Sequence, residues 1–306
     1  MKILLATEKP FAAAATEAIR EVVEQAGHTF ALLEKYTDRA QLLAAVADAE
    51  AIIIRSDIID ATVLDAAPKL KTVVRAGAGY DNVDLAAATA HNVCVMNTPG
   101  QNANAVAELA LGLMVYGVRN FFNGASGTEL KGKKLGIHAY GNVGRNVARI
   151  ARGFGMEVLA YDPFLTAQAI EKDGVKPLPS AAELYRTCRF VSLHIPATPE
   201  TKNSINRELL ISMPHGAMLI NTARKEVIDE AQLLTVFEER PDFRYLTDIM
   251  PGIHAELVEK YPSRYFSTPK KSGAQTAEAN NNAGIAAANQ IVDFFATGNE
   301  QFRVNK

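Results

Sequence analysis

Residues Lys134–Asp162 read KLGIHAYGNVGRNVARIARGFGMEVLAYD. The stretch opens with a short apolar run, passes through Ala139-Tyr140-Gly141-Asn142-Val143-Gly144, and continues with Val147, Ile150, Ala151 and Phe154 at helical spacing. This predicts strand, tight turn, helix. A second apolar run from Glu157 to Tyr161 ends on Asp162, eighteen positions after Gly144, and completes a βαβ unit closed by an acid. A dinucleotide pyrophosphate needs a turn free of side chains, so that backbone N–H groups at a helix N-terminus can reach it. Gly141 allows that approach, and Gly144 lets the helix lie close on its strand. An acid at the end of the second strand accepts hydrogen bonds from the adenosine ribose and repels a 2′-phosphate. Asp162-Pro163-Phe164-Leu165 offers no Arg to receive such a phosphate, so the cofactor expected is NAD rather than NADP. Ala139 stands where the first Gly of G-x-G-x-x-G usually falls, which tightens the turn. The competing reading is an ordinary βα turn in some other α/β protein.

Outside this unit the chain is long enough, at 306 residues, for two cores. Hydrophobic residues make up 48%, enough for large buried sheets, and a formal net charge of −2 gives no reason to expect nucleic acid or an anionic membrane as partner. Cys94 and Cys188 sit in apolar surroundings far apart in sequence, which favours buried thiols over a disulfide or a metal site and points to the reducing cytoplasm. The N-terminal MKILLATEKP is too short in apolar residues for a secretory signal and reads as a first strand. No run approaches membrane-spanning length.

From the N-terminus, strands are expected at Lys2–Thr7, His28–Leu33, Ala51–Ile54, Lys71–Val74 and Val93–Met96, separated by helical segments. Strands alternating with helices imply parallel pairing. Ile52-Ile53-Ile54 runs into Arg55-Ser56, and Val73-Val74 into Arg75-Ala76-Gly77-Ala78-Gly79-Tyr80-Asp81-Asn82. Ligands of open parallel sheets gather at the carboxyl ends of strands, so both Arg residues and the bare N–H groups of Gly77 and Gly79 suit an anion. Surface charges beside Asp57 and Asp81 are the alternative. Asn102–Arg119 is apolar nearly all round and is expected to be a buried helix crossing between lobes. Later elements include strands at Phe190–His194, Ala217–Ile220 and Tyr245–Asp248, a helix at Lys202–Ile211, and a long helix at Thr276–Thr297 that could return to the first lobe.

Taken together, IIIRS, RAGAGYDNVDL, NTPGQNANAVAELALGLM, the βαβ unit ending YDP, VSLHIPATPET, INTAR and TPKKSGAQTAEA resemble the D-2-hydroxyacid dehydrogenase family over nearly the whole chain. The resemblance implies two Rossmann-like lobes with parallel sheets and a substrate cleft between them. Residues 1–98 plus 281–306 would form the substrate-binding domain, and 99–280 the NAD-binding domain. It further implies Arg224 as the Arg holding the substrate carboxyl end, and the amides of Gly77, Ala78 and Gly79 as the carboxylate turn. Arg55 would hold a 3-phosphate with Arg75 as helper. Gly141, Asn142, Val143, Gly144, Asp162, Ile195, Pro196, Thr222, Ala223 and Asp248 would line the cofactor. The activity implied is NAD-dependent oxidation of 3-phospho-D-glycerate to 3-phosphohydroxypyruvate, the entry to serine synthesis, by a cytoplasmic homodimer. Glyoxylate or hydroxypyruvate reduction, and a non-catalytic nucleotide-sensing role, stand as alternatives.

Two departures fall on the chemistry. The family's acid/base His follows Thr-Pro, whereas here Thr268-Pro269 is followed by Lys270; the family's Glu would fall on Ile253, with Glu256 nearby but out of register. A subset of the family carries this Lys and lacks the C-terminal regulatory domain of longer relatives, which is the form expected of a chain ending at Lys306. A lysine amine starts at about 10.4 and must be neutral to accept a proton. Burial and a nearby cation favour that form, and a carboxylate opposes it. Lys270 with no Glu partner and with Arg224 as the cation is therefore one coherent exchange.

Overall fold

Residues 1–305 are described by the computed structural model, in two units, each built on an all-parallel sheet. The first unit comprises Met1–Asn102 and the segment from Thr276 onward. It alternates β1 (Lys2–Thr7), α1 (Ala13–Gln25), β2 (Thr29–Glu34), α2 (Arg39–Val46), β3 (Ala51–Ile54), α3 (Ala61–Asp65), β4 (Thr72–Arg75), α4 (Leu85–Ala90) and β5 (Cys94–Asn97). All four residues of β3 are buried, as a strand covered on both faces requires. Asp38, Asp60 and Asp84 cap α2, α3 and α4 by accepting from first-turn N–H groups, which explains where these helices begin.

The second unit, Ala103–Gln275, opens on α5 (Ala103–Val118). Next come β6 (Lys134–His138), α6 (Asn142–Gly153), β7 (Glu157–Tyr161), α7 (Ala167–Glu171), β8 (Lys176–Pro177), α8 (Ala181–Thr187) and β9 (Phe190–Leu193). It continues with α9 (Arg207–Ser212), β10 (Met218–Asn221), α10 (Glu230–Glu239), β11 (Arg244–Thr247), α11 (His254–Lys260) and β12 (Tyr265–Ser267). Helix α5 packs against α6, β10 and β11, all in its own unit, so its apolar circumference is spent on that core. The last helix, α12 (Ala277–Thr297), lies along α1 in the first unit and buries Ala283, Ala287, Ala288 and Ile291 in the cluster that holds Ile19 and Val23.

Strand order fixes where ligands belong. The first sheet runs β2-β1-β3-β4-β5 and the second β12-β11-β10-β9-β6-β7-β8. Order reverses between β1 and β3 in one and between β6 and β9 in the other, and such switch points open a crevice at the carboxyl ends of the strands. Arg55 directly follows β3, and the Ala139–Gly144 turn directly follows β6.

One expected helix is shorter than its sequence pattern. Lys202–Ile211 becomes a turn followed by α9, because the Thr198 and Thr201 hydroxyls bind each other's backbone N–H groups, Asn203 takes φ +55°, and Asn206 caps the helix from outside. Helix α11 and strand β12 were not signalled by periodicity, being seven and three residues long. Cys94 and Cys188 are both buried free thiols. Among the described residues no helix is long and apolar enough to cross a membrane, and no group of three or more His, Cys, Asp or Glu side chains could hold a metal ion.

Candidate active site

At the end of β6 the chain turns sharply. Ala139 adopts φ +73°, a left-handed conformation that costs an L-residue roughly 1–2 kcal/mol. Two hydrogen bonds hold it there: Ala139 N–H donates to the Tyr161 carbonyl at 2.9 Å, and Tyr140 N–H donates to Asp162 Oδ2 at 2.8 Å. Asp162 Oδ1 accepts from Phe164 N–H at 2.9 Å, so the acid expected to meet the ribose also braces the turn.

Helix α6 then begins with no side chain capping it, which leaves its first N–H groups to an incoming anion. A Cβ on Gly144 would lie 2.6 Å from the Ala139 carbonyl oxygen, so only glycine permits this approach of helix to turn. On Gly141 a Cβ would meet nothing within 4 Å; the protein's own packing does not require that glycine. Near the end of β10, the Thr222 hydroxyl is buried without a partner. An uncapped helix start, an open glycine and an orphaned hydroxyl fit a dinucleotide.

Beneath the turn lies a polar group that sequence reasoning missed. His138, the last residue of β6, is buried against Tyr185, sharing a 3.3 Å hydrogen bond with its hydroxyl. Burial pushes its imidazole down to about 4, so it is neutral near pH 7. His194 follows β9, shares a 3.0 Å hydrogen bond with Ser192, and is lowered in the same direction by burial and then by His138. The one local hint was a His closing the apolar run Leu135–Ile137. Ile195 is buried and Pro196 exposed immediately beyond.

The ends of β10, β11 and β12 form the second half of the site. Asn221 is buried; its amide donates to the Arg224 carbonyl at 2.9 Å and accepts from Ala223 N–H at 2.9 Å, fixing the turn that presents Arg224. Asp248, 2% exposed, accepts at Oδ1 from the Thr268 hydroxyl (2.8 Å) and Ser272 N–H (2.7 Å), and at Oδ2 from Gly273 N–H (2.8 Å). Lys270 lies on the loop so held and is exposed. Burial, which the sequence reading invoked for its neutral form, is thus not what this unit supplies. Ile253 packs on the core cluster that includes Val227, and Glu256 is paired with Lys260 at 2.7 Å, so neither puts a carboxylate in the role of the family Glu.

In the first unit, Arg55 is no loose surface charge. Its guanidinium donates to the carbonyls of Lys9 (3.1 Å) and Pro10 (3.2 Å) and to Asn280 Oδ1 (2.6 Å), and lies 5.0 Å from the Phe11 ring centroid. Arg75 Nε donates to the Arg55 carbonyl at 3.0 Å. Gly77 takes φ +147°, and a Cβ there would fall 1.6 Å from an Arg75 nitrogen, so the Gly-rich turn exists partly to let this Arg fold across it. Asn97 donates to the carbonyl of exposed Ala78 at 2.7 Å, and Gly79 is half-buried. Two residues passed over in the sequence organise this end of the sheet. Asp57, 3% exposed, accepts from Glu8 N–H, Arg55 N–H and the Tyr36 hydroxyl, and Asn82 donates to the carbonyls of Arg55 and Asp57.

Comparison with known proteins gives these placements a context. Residues 116–260 match the family model described as the NAD binding domain of D-isomer specific 2-hydroxyacid dehydrogenases. Among solved structures, the NAD+-bound 3-phosphoglycerate dehydrogenase of Entamoeba histolytica is 46% identical, with a TM-score of 0.89 over 100% of this chain and 99% of that one. D-3-phosphoglycerate dehydrogenase of Mycobacterium leprae is 37% identical over 271 residues, 83% of this chain and 51% of the relative. That of Rattus norvegicus is 34% identical over 292 residues, 90% and 54% respectively. The chain spans about half the length of these curated relatives.

Proposed function

We propose that this chain, which belongs to the D-isomer specific 2-hydroxyacid dehydrogenase family, oxidises 3-phospho-D-glycerate to 3-phosphohydroxypyruvate with NAD. The observation that carries the reading is the full-length likeness, at 46% identity, to a 3-phosphoglycerate dehydrogenase with NAD+ bound. In this reading the second unit holds the cofactor. The N–H groups of Asn142, Val143 and Gly144, exposed by Gly141, hold the pyrophosphate; Asp162 takes the ribose hydroxyls. Ile195, Pro196, Thr222, Ala223 and Asp248 complete the pocket. NAD supplies the hydride acceptor. Arg224 meets the substrate carboxylate with its fork of donors, and Lys270 takes the hydroxyl proton. Arg55 and Arg75 hold the phosphate beside the amides of Gly77, Ala78 and Gly79. The buried free thiols support a reducing, cytoplasmic setting, and the family resemblance supports a homodimer. NADH formation with 3-phosphoglycerate, compared with glycerate, tests the assignment: equal rates on the two would remove the phosphate from it.

Cofactor choice is expected to rest on Asp162. Asp162→Ala should narrow the preference for NAD over NADP, measured as the ratio of kcat/KM values. Because Asp162 also braces Tyr140, affinity for both cofactors should fall somewhat. Equal use of NAD and NADP by the unmodified protein would sink the carboxylate's role.

Arg55 offers a second test. A charge-assisted contact to a bound anion is worth about 1.5–3 kcal/mol, so Arg55→Ala should raise KM for 3-phosphoglycerate roughly ten- to a hundredfold. Its bonds to Lys9, Pro10 and Asn280 make it a brace as well. The control is therefore turnover of unphosphorylated glycerate: an equal loss there means that the brace is its whole role.

A further inference from the structure

The buried carboxylate of Asp248 is surrounded by donors from a single segment. Thr268 Oγ1 and Ser272 N–H bind Oδ1 at 2.8 and 2.7 Å, and Gly273 N–H binds Oδ2 at 2.8 Å. Thr268 Oγ1 is also within 3.2 Å of the Asp248 carbonyl, and the Ser272 hydroxyl closes the segment on itself by donating to the Lys270 carbonyl at 2.8 Å. Lys270 thus stands on a loop stapled at both ends to one acid. The sequence is fitted to the staple: a Cβ on Gly273 would lie 3.0 Å from Oδ2, closer than a side chain comfortably sits, so glycine lets the N–H reach the carboxylate. With two donors, Oδ1 is filled. Oδ2 has one, and keeps a lone pair for a further N–H donor.

We infer that Asp248 is a positioning residue whose main task is to fix the Lys270 loop, so that one buried carboxylate sets both the proton-transferring amine and the open acceptor on Oδ2. This rests on the reading of Lys270 as the group that takes the substrate proton. Hydrogen bonds to a charged acceptor are worth more than neutral ones, and three of them hold a loop that otherwise has exposed residues at its tip.

The test uses Asp248→Asn, which puts an amide against N–H donors, and Gly273→Ala, which leaves the carboxylate intact and crowds it. In the protein without cofactor, trypsin should cut after Lys270 or Lys271 about tenfold faster in both variants, because cleavage needs local opening of the loop. With NAD and 3-phosphoglycerate, Gly273→Ala should lower kcat by about tenfold with KM little changed, as misplacement of a reacting group does. In a Lys270→Met background the same change should cost almost nothing more, since residues acting through one group are not additive. Unchanged nicking rates overturn the inference, and so does a Gly273→Ala loss of equal size with and without Lys270. If instead Lys270→Met alone keeps its kcat, the proton-transfer reading falls and the inference with it, an outcome distinct from additive losses.

Discussion

Replacing Lys270 by Met should lower kcat for 3-phosphoglycerate oxidation by about a hundredfold or more, the range expected when a general base is removed. The reverse reduction should lose a similar factor, since the same amine returns the proton in that direction. Methionine keeps most of the unbranched apolar stem, so loss of bulk is small. The environment sharpens the expectation. Of the two residues that could stand in for the family Glu, Ile253 is apolar and half-buried against the core, and Glu256 is paired with Lys260. A carboxylate partner would hold a lysine in its charged form, which accepts no proton. Measuring kcat at saturating substrate in both directions decides the matter. A variant that keeps kcat while losing only KM would make Lys270 a binding residue.

The βαβ unit proposed to hold the nucleotide was legible in the sequence, and for a physical reason. A pyrophosphate turn imposes constraints on adjacent residues, so Gly141, Gly144 and Asp162 stand in one short stretch, and strand, turn and helix appear where the pattern put them. Arg55, Arg75 and Arg224 were equally visible, because each stands at or just beyond the end of an apolar strand. What stayed hidden acts across the sequence. Asp57 collects Glu8, Tyr36 and Arg55, and Asp248, named in the sequence only as a cofactor residue, also collects a loop twenty and more residues away. Such acids have no periodicity, and their partners are mostly backbone N–H groups, which every residue has. His138 was hidden differently: its neighbour Tyr185 lies on α8, and only tertiary packing makes it a buried pair. The Thr198–Thr201 turn misled for yet another reason, since hydroxyls that satisfy backbone groups locally compete with the helix that the apolar spacing suggested.

Gly144→Ala and Gly141→Ala should separate what the turn owes to the fold from what it owes to its ligand. At Gly144 the added methyl would stand 2.6 Å from the Ala139 carbonyl oxygen and 3.0 Å from Ile137 Cγ2, a backbone atom and a buried side chain. Neither can swing away, so α6 must lift from β6 or the Ala139–Tyr140 peptide must rotate. Overpacking of this kind costs about 1–3 kcal/mol, roughly 3–10 °C in Tm for a unit of this size. The larger effect should fall on NAD. Ala139 already holds a left-handed conformation under the restraint of Tyr161 and Asp162, and any rotation moves the N–H groups of α6 away from the position they are proposed to offer the pyrophosphate. A rise of about a hundredfold or more in the NAD dissociation constant is expected, read by quenching of tyrosine fluorescence or by calorimetry, as loss of two charge-assisted hydrogen bonds implies. At Gly141 the methyl meets no protein atom within 4 Å, and the change of N-cap residue should cost no more than about 1 kcal/mol. Its Tm should therefore stay close to wild type while NAD binding weakens, because the space that the protein leaves empty is the space proposed for the phosphates. A Gly141→Ala protein that binds NAD as tightly as wild type would put the pyrophosphate elsewhere. If the Gly144→Ala protein keeps its stability, the contact between α6 and the turn is looser than the 2.6 Å approach requires.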